Sequence, residues 1–435
     1  MNICVFGLWH LGCVTAACLA KLGFNVKGLD LAKGNISNLQ KSKAPLFEPG
    51  LNDLINEGLK NSNLSFSYEL AVALNNMDVL WVAFDTPVDD NDVADIGSIE
   101  RSLLSAIKWL NSGTRIIISS QVPVGFTRKI KEAIKRASPE KKFYFAYAPE
   151  NLRLGKAIKL FLDPDRIIIG TMPEEKEKFL PLFSVISTKL EWMSIESAEM
   201  VKHAINAFLA TSISFANEIA EVCERVGANA KEVERGLKTE ERIGPKAYLS
   251  PGVAFSGGTL ARDITFLSES AKKFNLPVYL IKAVKESNDF HRCWVQRKCL
   301  EIFGDLKGKR IAVLGLTYKP NTDTLRRSFS IELCNWLDGK GAKVKVFDPS
   351  IKQLPNSIRY VVSIDSSVRD VLRGADCVIV ATEWPIFREL DAETINEFSS
   401  KVVIDPSGFI EKQLTGCKDI KYIVVGGKVH EARKP

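Results

Sequence analysis

The first thirty residues alternate between apolar runs and polar breaks in the order of a strand, a turn, a helix and a second strand. Residues 3–6 form a short apolar run, residues 7–12 form a turn bounded by glycines, and residues 14–22 are rich in Ala and Leu. After a glycine stop, a second apolar run leads to Asp30. This pattern predicts a β–α–β unit whose parallel strands are joined by a crossover helix.

Further apolar runs predict additional strands that are buried on both faces. These runs occupy residues 79–83, 115–118 and 166–169. Because the predicted strands alternate with helices, we expect parallel strands joined by right-handed crossovers.

From residue 195 to about residue 237 the periodicity becomes helical: no proline intervenes, and apolar residues such as Met200, Ala204 and Ala207 recur at helical spacing. A second helical block runs from residue 263 to about residue 303, with an interruption at residues 275–277. We expect a long helical connector here. An apolar-faced helix in such a position is typical of a homodimer interface.

The strand pattern then restarts. New apolar runs occupy residues 309–315, 344–349, 375–381 and 401–405. The predicted fold class is α/β, with two Rossmann-like doubly wound parallel-sheet domains joined by a long helical connector. The predicted boundaries are 1–194, 195–303 and 304–435. Two such α/β units predict a small-molecule site in a cleft between domains.

Composition excludes several classes of function. The 435 residues are 46% hydrophobic and 26% charged, as in an ordinary globular protein. The formal net charge is +7, and basic clusters such as residues 128–131 are soon followed by acidic residues. That patterning disfavours a nucleic-acid partner, and the surplus positive charge suits attraction of a phosphorylated small molecule.

The cysteines and the N-terminus bear on cofactors and location. Nine cysteines occur without a CxxC pair, so neither a metal site nor a disulfide framework is expected. Free thiols in such number suit a reducing compartment. The chain opens directly into strand-like sequence, and no segment reaches the roughly 18 uninterrupted apolar residues of a membrane span. We expect a cytoplasmic protein with no membrane partner and no metal.

The glycine turn is a candidate dinucleotide site. Gly7 permits the tight bend after the strand and Gly12 permits close helix packing, so a pyrophosphate would rest on the helix N-terminus. Asp30 lies about 20 residues further on, where an acid accepts a ribose hydroxyl and favours NAD over NADP. Trp9, however, stands where the motif normally has its middle glycine. An α/β turn that binds nothing is the alternative interpretation.

Longer motifs carry a resemblance to a known family. In order along the chain they are Pro-x-x-Glu-Pro-Gly-Leu at 45–51, Thr-Pro at 86–87, Val-Pro-Val-Gly at 122–125, Pro-Glu-x-Leu-Arg-x-Gly at 149–155, Glu-Met-Val-Lys at 199–202 with Asn206, Asn-Glu at 217–218, Arg-Ile-Gly at 242–244, Leu-Thr-Tyr-Lys-Pro-Asn-Thr-Asp at 316–323 with Arg326, and Ala-Thr-Glu-Trp-Pro at 381–385. Over nearly its whole length the chain resembles the UDP-glucose/GDP-mannose dehydrogenase family.

Enzymes of that family oxidise the C6 alcohol of a nucleotide sugar to a carboxylate with two NAD molecules. The resemblance implies that Lys202 and Asn206, one helical turn apart, face the sugar, where they can stabilise developing negative charge. The catalytic positions it implies are Lys202, Asn206, Asp263, Thr259 and Glu150. The cofactor positions it implies are Gly7, Leu11, Gly12, Asp30, Thr86, Gln121, Arg262 and Arg326. The UDP-sugar positions it implies are Glu150, Leu152, Arg153, Lys202, Asn206, Arg242, Tyr248, Gly252, Phe255, Gly257 and Lys319.

Several family positions are substituted. Without any gap, Thr259 occupies the place of the nucleophilic cysteine. A thiolate adds to the intermediate aldehyde and allows a second hydride to leave, whereas an unactivated threonine hydroxyl is a much poorer nucleophile. In the same stretch Arg262 replaces a lysine. Elsewhere Gln121 replaces a threonine, Leu154 replaces a glutamate and Asn151 replaces a phenylalanine.

The retained residues therefore predict an NAD-dependent oxidoreductase acting on a UDP-sugar, and two routes remain open. The enzyme performs the full oxidation through an aldehyde hydrate, or it stops after one two-electron step. The alternative class is a nucleotide-sugar-binding or regulatory homologue that has lost catalysis, which Trp9 and Thr259 favour. A hydroxyacid dehydrogenase would leave the segment from Lys319 to Arg326 without a purpose.

Overall fold

The computed structural model describes residues 1–86, 95–150, 152–256, 259–325, 328–356, 358, 362–390, 394, 402–414 and 420–427. The chain divides into two compact units, Met1–Ile205 and Asn206–Pro435. Each unit is built around one β-sheet.

The first unit contains an eight-stranded sheet. Its strands are β1 (Asn2–Phe6), β2 (Asn25–Leu29), β3 (Leu64–Ser67), β4 (Val79–Val82), β5 (Arg115–Ile118), β6 (Tyr144–Tyr147), β7 (Ile167–Thr171) and β8 (Leu190–Met193). The spatial order is β3-β2-β1-β4-β5-β6-β7-β8, and every pair from β3 to β6 is parallel. All four residues of β4 are buried, as its continuous apolar run predicts.

Helices cover both faces of this sheet. They are α1 (His10–Lys21), α2 (Lys33–Leu39), α3 (Leu51–Lys60), α4 (Leu70–Leu74), α5 (Ile96–Ala106), α6 (Phe126–Ala137), α7 (Ala157–Leu162) and α8 (Lys176–Ile186). One apolar cluster joins Leu19 of α1 to Trp81, and a second joins Ile99 of α5 and Ile130 of α6 to Leu80. The period of two along β4 thus places neighbouring residues in opposite cores.

The expectation of an entirely parallel sheet is wrong at one edge. Strand β7 runs antiparallel to β6, with Ala146 opposite Thr171, and β8 is parallel to β7. An antiparallel strand needs no crossover connection, because it begins at the same end of the sheet at which the preceding strand finishes. The connection from Ala148 to Lys156 therefore stays at the carboxyl end of β6. That connection carries the predicted sugar-binding residues Glu150, Leu152 and Arg153.

The predicted long helix exists as α9 (Ile195–Val226), which has 32 residues. The helical periodicity continues further, but Gly227 adopts a positive φ of 76° and ends the helix. Helices α10 (Ala230–Thr239), α11 (Thr259–Lys273), α12 (Tyr279–Arg292) and α13 (Trp294–Phe303) follow. The interruption predicted at residues 275–277 separates α11 from α12, whereas the break at Cys293 was not predicted.

The second unit contains a six-stranded parallel sheet in the order β11-β10-β9-β12-β13-β14. Its strands are β9 (Arg310–Leu314), β10 (Lys343–Phe347), β11 (Val362–Ile364), β12 (Cys377–Val380), β13 (Val402–Ile404) and β14 (Lys421–Ile423). Helices α14 (Phe329–Gly339), α15 (Val368–Leu372) and α16 (Glu411–Leu414) accompany it. Ala220 and Cys223 of α9 join the core of this sheet.

The predicted class of two doubly wound α/β units with a long helix between them is confirmed. The three-part division at residues 194 and 303 stays a prediction. Among the helices formed by the described residues, none is both long and apolar enough to cross a membrane.

Candidate active site

The turn between β1 and α1 has room only for glycine at its two ends. Gly7 has a φ of +94°, and a Cβ atom there would lie 2.7 Å from the Phe84 ring. A Cβ atom on Gly12 would lie 1.7 Å from the Gly7 carbonyl oxygen. Trp9 makes no side-chain capping hydrogen bond to the first N–H groups of α1, and such groups at a helix N-terminus suit a pyrophosphate.

Asp30 faces the same turn from the end of β2. Its Oδ2 accepts the Leu8 N–H at 2.8 Å, and its Oδ1 accepts the Ala32 N–H at 2.8 Å. Asn35 adds a weaker bond from its side-chain amide at 3.3 Å. The acid is therefore fixed beside the glycine turn, where a ribose hydroxyl acceptor is expected.

Trp9 immediately precedes α1 and is 50% exposed. Its φ of −89° is ordinary for a residue with a side chain, so the backbone accepts the indole without strain. The indole therefore lies at the solvent-facing start of α1. Gly7, Gly12 and Asp30 fit a dinucleotide, and Trp9 changes the surface on which its phosphates would rest.

The N-terminal part of α9 fixes the loop that follows β5. The buried Glu199 carboxylate accepts the N–H groups of Gly125 at 2.6 Å and Thr127 at 2.9 Å. Burial raises the pKa of Glu199, and the hydrogen bonds from this loop oppose that rise. His203 bonds through Nε2 to the Val122 carbonyl oxygen at 2.8 Å. The loop carries Gln121, one of the predicted cofactor residues. No sequence pattern predicts a role for His203.

Lys202 lies between these two anchors and contacts the next loop. Its Nζ donates to the backbone oxygen of Glu150 at 2.5 Å. Desolvation raises the pKa of the Glu150 carboxyl to about 7, although the positive charge of Lys202 opposes this rise. Glu150 is therefore able to exchange a proton near neutral pH.

The Pro-x-x-Glu-Pro-Gly motif connects the glycine turn to the loop after β6. The Glu48 carboxylate is buried and accepts the N–H groups of Gly155 at 2.7 Å and Ala157 at 2.8 Å. His10, the first residue of α1, bonds to the same carboxylate at 2.9 Å. Sequence patterning alone indicated only a proline-braced loop here.

In the second unit, Asn206 and Asp263 are hydrogen-bonded through the Asn206 amide and the Asp263 carboxylate. Both side chains are buried. Asp263 lies in the first turns of α11, which begins at Thr259, and the Thr259 side chain is exposed. Arg262, which lies on the same turn, is buried.

The segment before α11 is held by three buried side chains. Gly252 donates its N–H to Asn217 Oδ1 at 2.9 Å, and its carbonyl oxygen lies 2.8 Å from His291 Nε2. Asn288 pairs with both backbone groups of Phe255, at 2.9 and 3.0 Å. Gly252 and Phe255 were predicted from the motif. His291 and Asn288 were not, because their contacts span more than thirty residues of sequence.

The remaining predicted residues are placed as follows. Thr86 is buried just after β4, Leu11 packs against the first core, Leu152 and Lys319 are partly buried, Arg153 and Tyr248 are exposed, and Arg242 pairs with Glu240 at 2.6 Å on the surface. Gly257 and Arg326 lie outside the described residues, as does Asn151.

Most cysteine side chains among the described residues are buried. Of the eight described cysteines, all are free and only Cys293 is exposed. Burial raises the pKa of Cys18, Cys299 and Cys334 to about 12, and it also raises the pKa of Cys13. Cys13 also donates to the Leu8 carbonyl oxygen at 3.3 Å. The ninth cysteine, Cys417, lies outside the described residues.

The second sheet repeats the glycine-turn geometry. Gly315 follows β9 with a φ of +95°, and a Cβ atom there would lie 2.4 Å from the Thr382 Cβ. Asp348, at the end of β10, accepts the N–H groups of Leu316 at 2.7 Å and Thr317 at 2.9 Å. Two units of this kind define a protein with two nucleotide-binding α/β domains.

Comparison with known proteins agrees with this class. The NAD binding domain model of the UDP-glucose/GDP-mannose dehydrogenase family matches residues 1–185, the central domain model matches residues 196–290, and the UDP binding domain model matches residues 312–412. The chain belongs to the UDP-glucose/GDP-mannose dehydrogenase family, whose members are NAD-dependent nucleotide-sugar dehydrogenases. The predicted family, the NAD cofactor and the presence of a UDP-binding domain are thereby confirmed.

Individual relatives extend the match over the whole chain. A UDP-glucose 6-dehydrogenase of Bacillus subtilis (strain 168) is 32% identical over 93% of this chain and 88% of that protein. One from Rickettsia conorii is 33% identical over 99% of this chain and all of that protein. The solved UDP-glucose dehydrogenase of Pyrobaculum islandicum superimposes with a TM-score of 0.88 at 29% identity, covering 98% of both chains.

Proposed function

We propose that this chain oxidises one alcohol carbon of a UDP-sugar to a carbonyl group and stops after that single two-electron step. The observation that carries the proposal is Thr259, which is exposed at the start of α11. The resemblance assigns this position to the family's catalytic cysteine. The UDP binding domain model and the UDP-glucose dehydrogenase relatives support a UDP-sugar as the substrate.

The second oxidation of the family depends on a thiolate, and the described residues supply no obvious substitute. A threonine hydroxyl needs an activating base, and the described hydrogen bonds give Thr259 none. Cys13 is buried, hydrogen-bonded and has a raised pKa, so it is a poor thiolate. In addition, Leu154 stands in the loop after β6 at the position where the family motif has a glutamate, so that carboxylate is missing from this chain.

The first oxidation needs no nucleophile, and the residues that we propose for it are retained in this chain. Gly7, Gly12 and Asp30 would hold NAD, which when bound accepts the hydride that leaves the alcohol carbon. Glu150, with a pKa of about 7, is suited to accept the hydroxyl proton, so the alcohol loses one hydride and one proton in total.

The remaining polar residues position and polarise the substrate. Lys202 is held by the Glu150 backbone oxygen, and its charge stabilises an oxygen that becomes negative. Asn206 follows four residues later on α9, and its amide is oriented by Asp263. We assign Asp263 to orientation of Asn206, because its buried carboxylate is already engaged in that bond.

The test is the stoichiometry of NADH against product. Purified protein is incubated with NAD and a panel of UDP- and GDP-sugars, and NADH absorbance is compared with product mass. One NADH per sugar with a carbonyl product supports the proposal. Two NADH per sugar with an acid would overturn it and direct attention to an aldehyde hydrate, while binding without NADH would favour the regulatory alternative.

The same proposal includes a homodimer built on α9. Five large apolar residues on this helix are exposed, and four of them recur at regular spacing, namely Phe208 (71%), Phe215 (45%), Val222 (56%) and Val226 (71%). Their spacing of seven, seven and four places them on one helix face, as in a helix-to-helix contact.

We also infer the three-part division at residues 194 and 303. We further infer a cytoplasmic location, which the free cysteines support.

A further inference from the structure

The backbone of Gly252 is fixed from two sides before the chain reaches α11. Asn217 of α9 accepts its N–H, and His291 of α12 contacts its carbonyl oxygen at 2.8 Å. A Cβ atom on Gly252 would lie 3.1 Å from Ser407 Oγ, so the segment has little room to shift. The peptide group at Gly252 therefore depends on these two side chains for its orientation.

The His291 ring contacts two acceptors at once. Its Nδ1 lies 2.7 Å from Glu221 Oε1, and its Nε2 lies 2.8 Å from the Gly252 oxygen. A carboxylate and a carbonyl oxygen can only accept, and a neutral imidazole has a single N–H to donate. Both hydrogen bonds exist together only when His291 is an imidazolium.

The neighbouring charges maintain Glu221 as the anion that this arrangement requires. Burial acts to raise the pKa of Glu221, but the hydrogen bonds and charges of His291 and Arg297 outweigh it and lower the pKa. Arg297 of α13 donates to Glu221 at 2.8 Å and is also held by the Phe290 carbonyl oxygen. Among the other charges on α12, Arg292 is paired with Glu332 of α14, and Lys285 is paired with Asp289.

We propose that His291 is a positioning residue whose protonated ring holds the segment from Tyr248 to Phe255 in the shape that binds the nucleotide sugar. This inference rests on the proposed function, together with the resemblance that assigns Tyr248, Gly252 and Phe255 to the substrate. When the imidazolium loses a proton, one of its two acceptors loses its donor. The Gly252 carbonyl is then released, and affinity for the nucleotide sugar falls as the pH rises.

The protonation state is tested on the intact protein without any substrate. The chain has four histidines, so ring ¹⁵N spectra are simple, and the His291 signal is identified by its absence in His291→Gln. We expect both ring nitrogens of His291 to carry hydrogen near pH 7. A neutral ring with one bare nitrogen at that pH would overturn the inference.

Two variants separate positioning from general damage. His291→Gln removes the double donor, and we expect the KM for the UDP-sugar to rise about tenfold while kcat changes less than about twofold, as for loss of a charged hydrogen bond. Glu221→Gln supplies an amide donor to Nδ1, so that a neutral ring satisfies both contacts. In that variant the KM should lose its alkaline rise.

Asp289→Asn is the matched control, because Asp289 lies on the same helix in an exposed pair with Lys285. It should keep the wild-type pH profile. An alkaline rise in KM that persists in Glu221→Gln, or an unchanged KM in His291→Gln, would contradict the inference. If no nucleotide sugar is oxidised, the proposed function fails by itself, and the ring spectra still decide whether His291 is doubly protonated.

Discussion

The Glu48 carboxylate accepts a hydrogen bond from the His10 ring at 2.9 Å, although the two residues belong to different motifs. The same carboxylate accepts the N–H groups of Gly155 and Ala157. One buried side chain therefore connects the start of α1, where NAD is expected, to the loop that carries Glu150 and Leu152. The geometry of these two loops is set jointly by one residue.

Replacing Glu48 with Gln should disturb both loops. The amide offers one oxygen where the carboxylate offers two, so at least one buried N–H loses its acceptor at a cost of about 1–3 kcal/mol. We expect a lower free energy of unfolding in urea and higher KM values for both NAD and the sugar. Glu57→Gln on the exposed face of α3 is the control. Unchanged KM values for both would remove the proposed connection.

The raised pKa of Glu150 predicts how the rate depends on pH. Because its pKa is about 7, the carboxyl is largely protonated below that pH and becomes able to accept a proton above it. The rate of NADH formation should therefore rise with pH through about 7. Glu150→Gln should lower kcat by roughly 10²–10⁴-fold and remove this limb from the residual activity. If the rate of the variant still rises with pH through about 7, the titration belongs to another group. The control is Glu132→Gln, a substitution at an exposed position on α6.

Much of the fold was predictable because its signals are local. The apolar runs located both sheets, and the acids expected at the ends of β2 and β10 are Asp30 and Asp348, which make equivalent bonds to Leu8 and Leu316. The direction of β7 was not predictable, because a buried strand has the same apolar pattern whether it is parallel or antiparallel. The end of α9 was also missed, since helical periodicity continues past Gly227.

The candidate site shows the same contrast between local signals, which allow prediction, and remote contacts, which do not. Lys202, Asn206 and Asp263 were predicted because they occur in motifs with recognisable spacing. The residues that fix the surrounding loops were missed, since their partners are remote in sequence: Glu48 and Gly155 are 107 residues apart, and His203 and Val122 are 81 apart. The one available signal was the position of Glu48 and Asn217 within family motifs. No local pattern marks His203 or His291.

Removing the indole at the start of α1 should strengthen cofactor binding. Trp9 is half exposed beside the helix N–H groups, so an incoming pyrophosphate must displace it or pack against it. Glycine at this position costs a helix only a few tenths of a kcal/mol. We expect Trp9→Gly to lower the Kd for NAD about fivefold, corresponding to roughly 1 kcal/mol, by isothermal titration calorimetry. Weaker binding would show instead that the indole contributes to the cofactor site.

Charge on the exposed face of α9 should dissociate the proposed dimer. Phe208→Lys combined with Phe215→Lys places two ammonium groups in each copy on a face that the dimer would desolvate. Sedimentation velocity should show a dimer for the wild type and a monomer for the double variant. Val72→Lys, an exposed apolar position on α4, should leave the dimer intact. A monomeric wild type would contradict the assignment directly.

Substitutions at Thr259 distinguish a spectator hydroxyl from a nucleophile. Thr259→Ala should keep one NADH per sugar with kcat within roughly threefold of the wild type, because an unactivated hydroxyl forms no bond to the substrate. Loss of NADH formation in this variant would require a direct role for the hydroxyl.

Thr259→Cys restores the thiol but leaves Leu154 in place of the family's glutamate. The thiolate can add to the aldehyde, and transfer of a second hydride to NAD then converts the adduct into a thioester. Since hydrolysis of that thioester lacks its carboxylate, we expect an extra burst of about one NADH per subunit followed by a stalled acyl-enzyme. Rapid-mixing absorbance measures the burst, and intact-protein mass spectrometry detects the acyl group. Absence of both would show that position 259 does not reach the oxidised carbon, and the two-electron proposal would then need another structural basis.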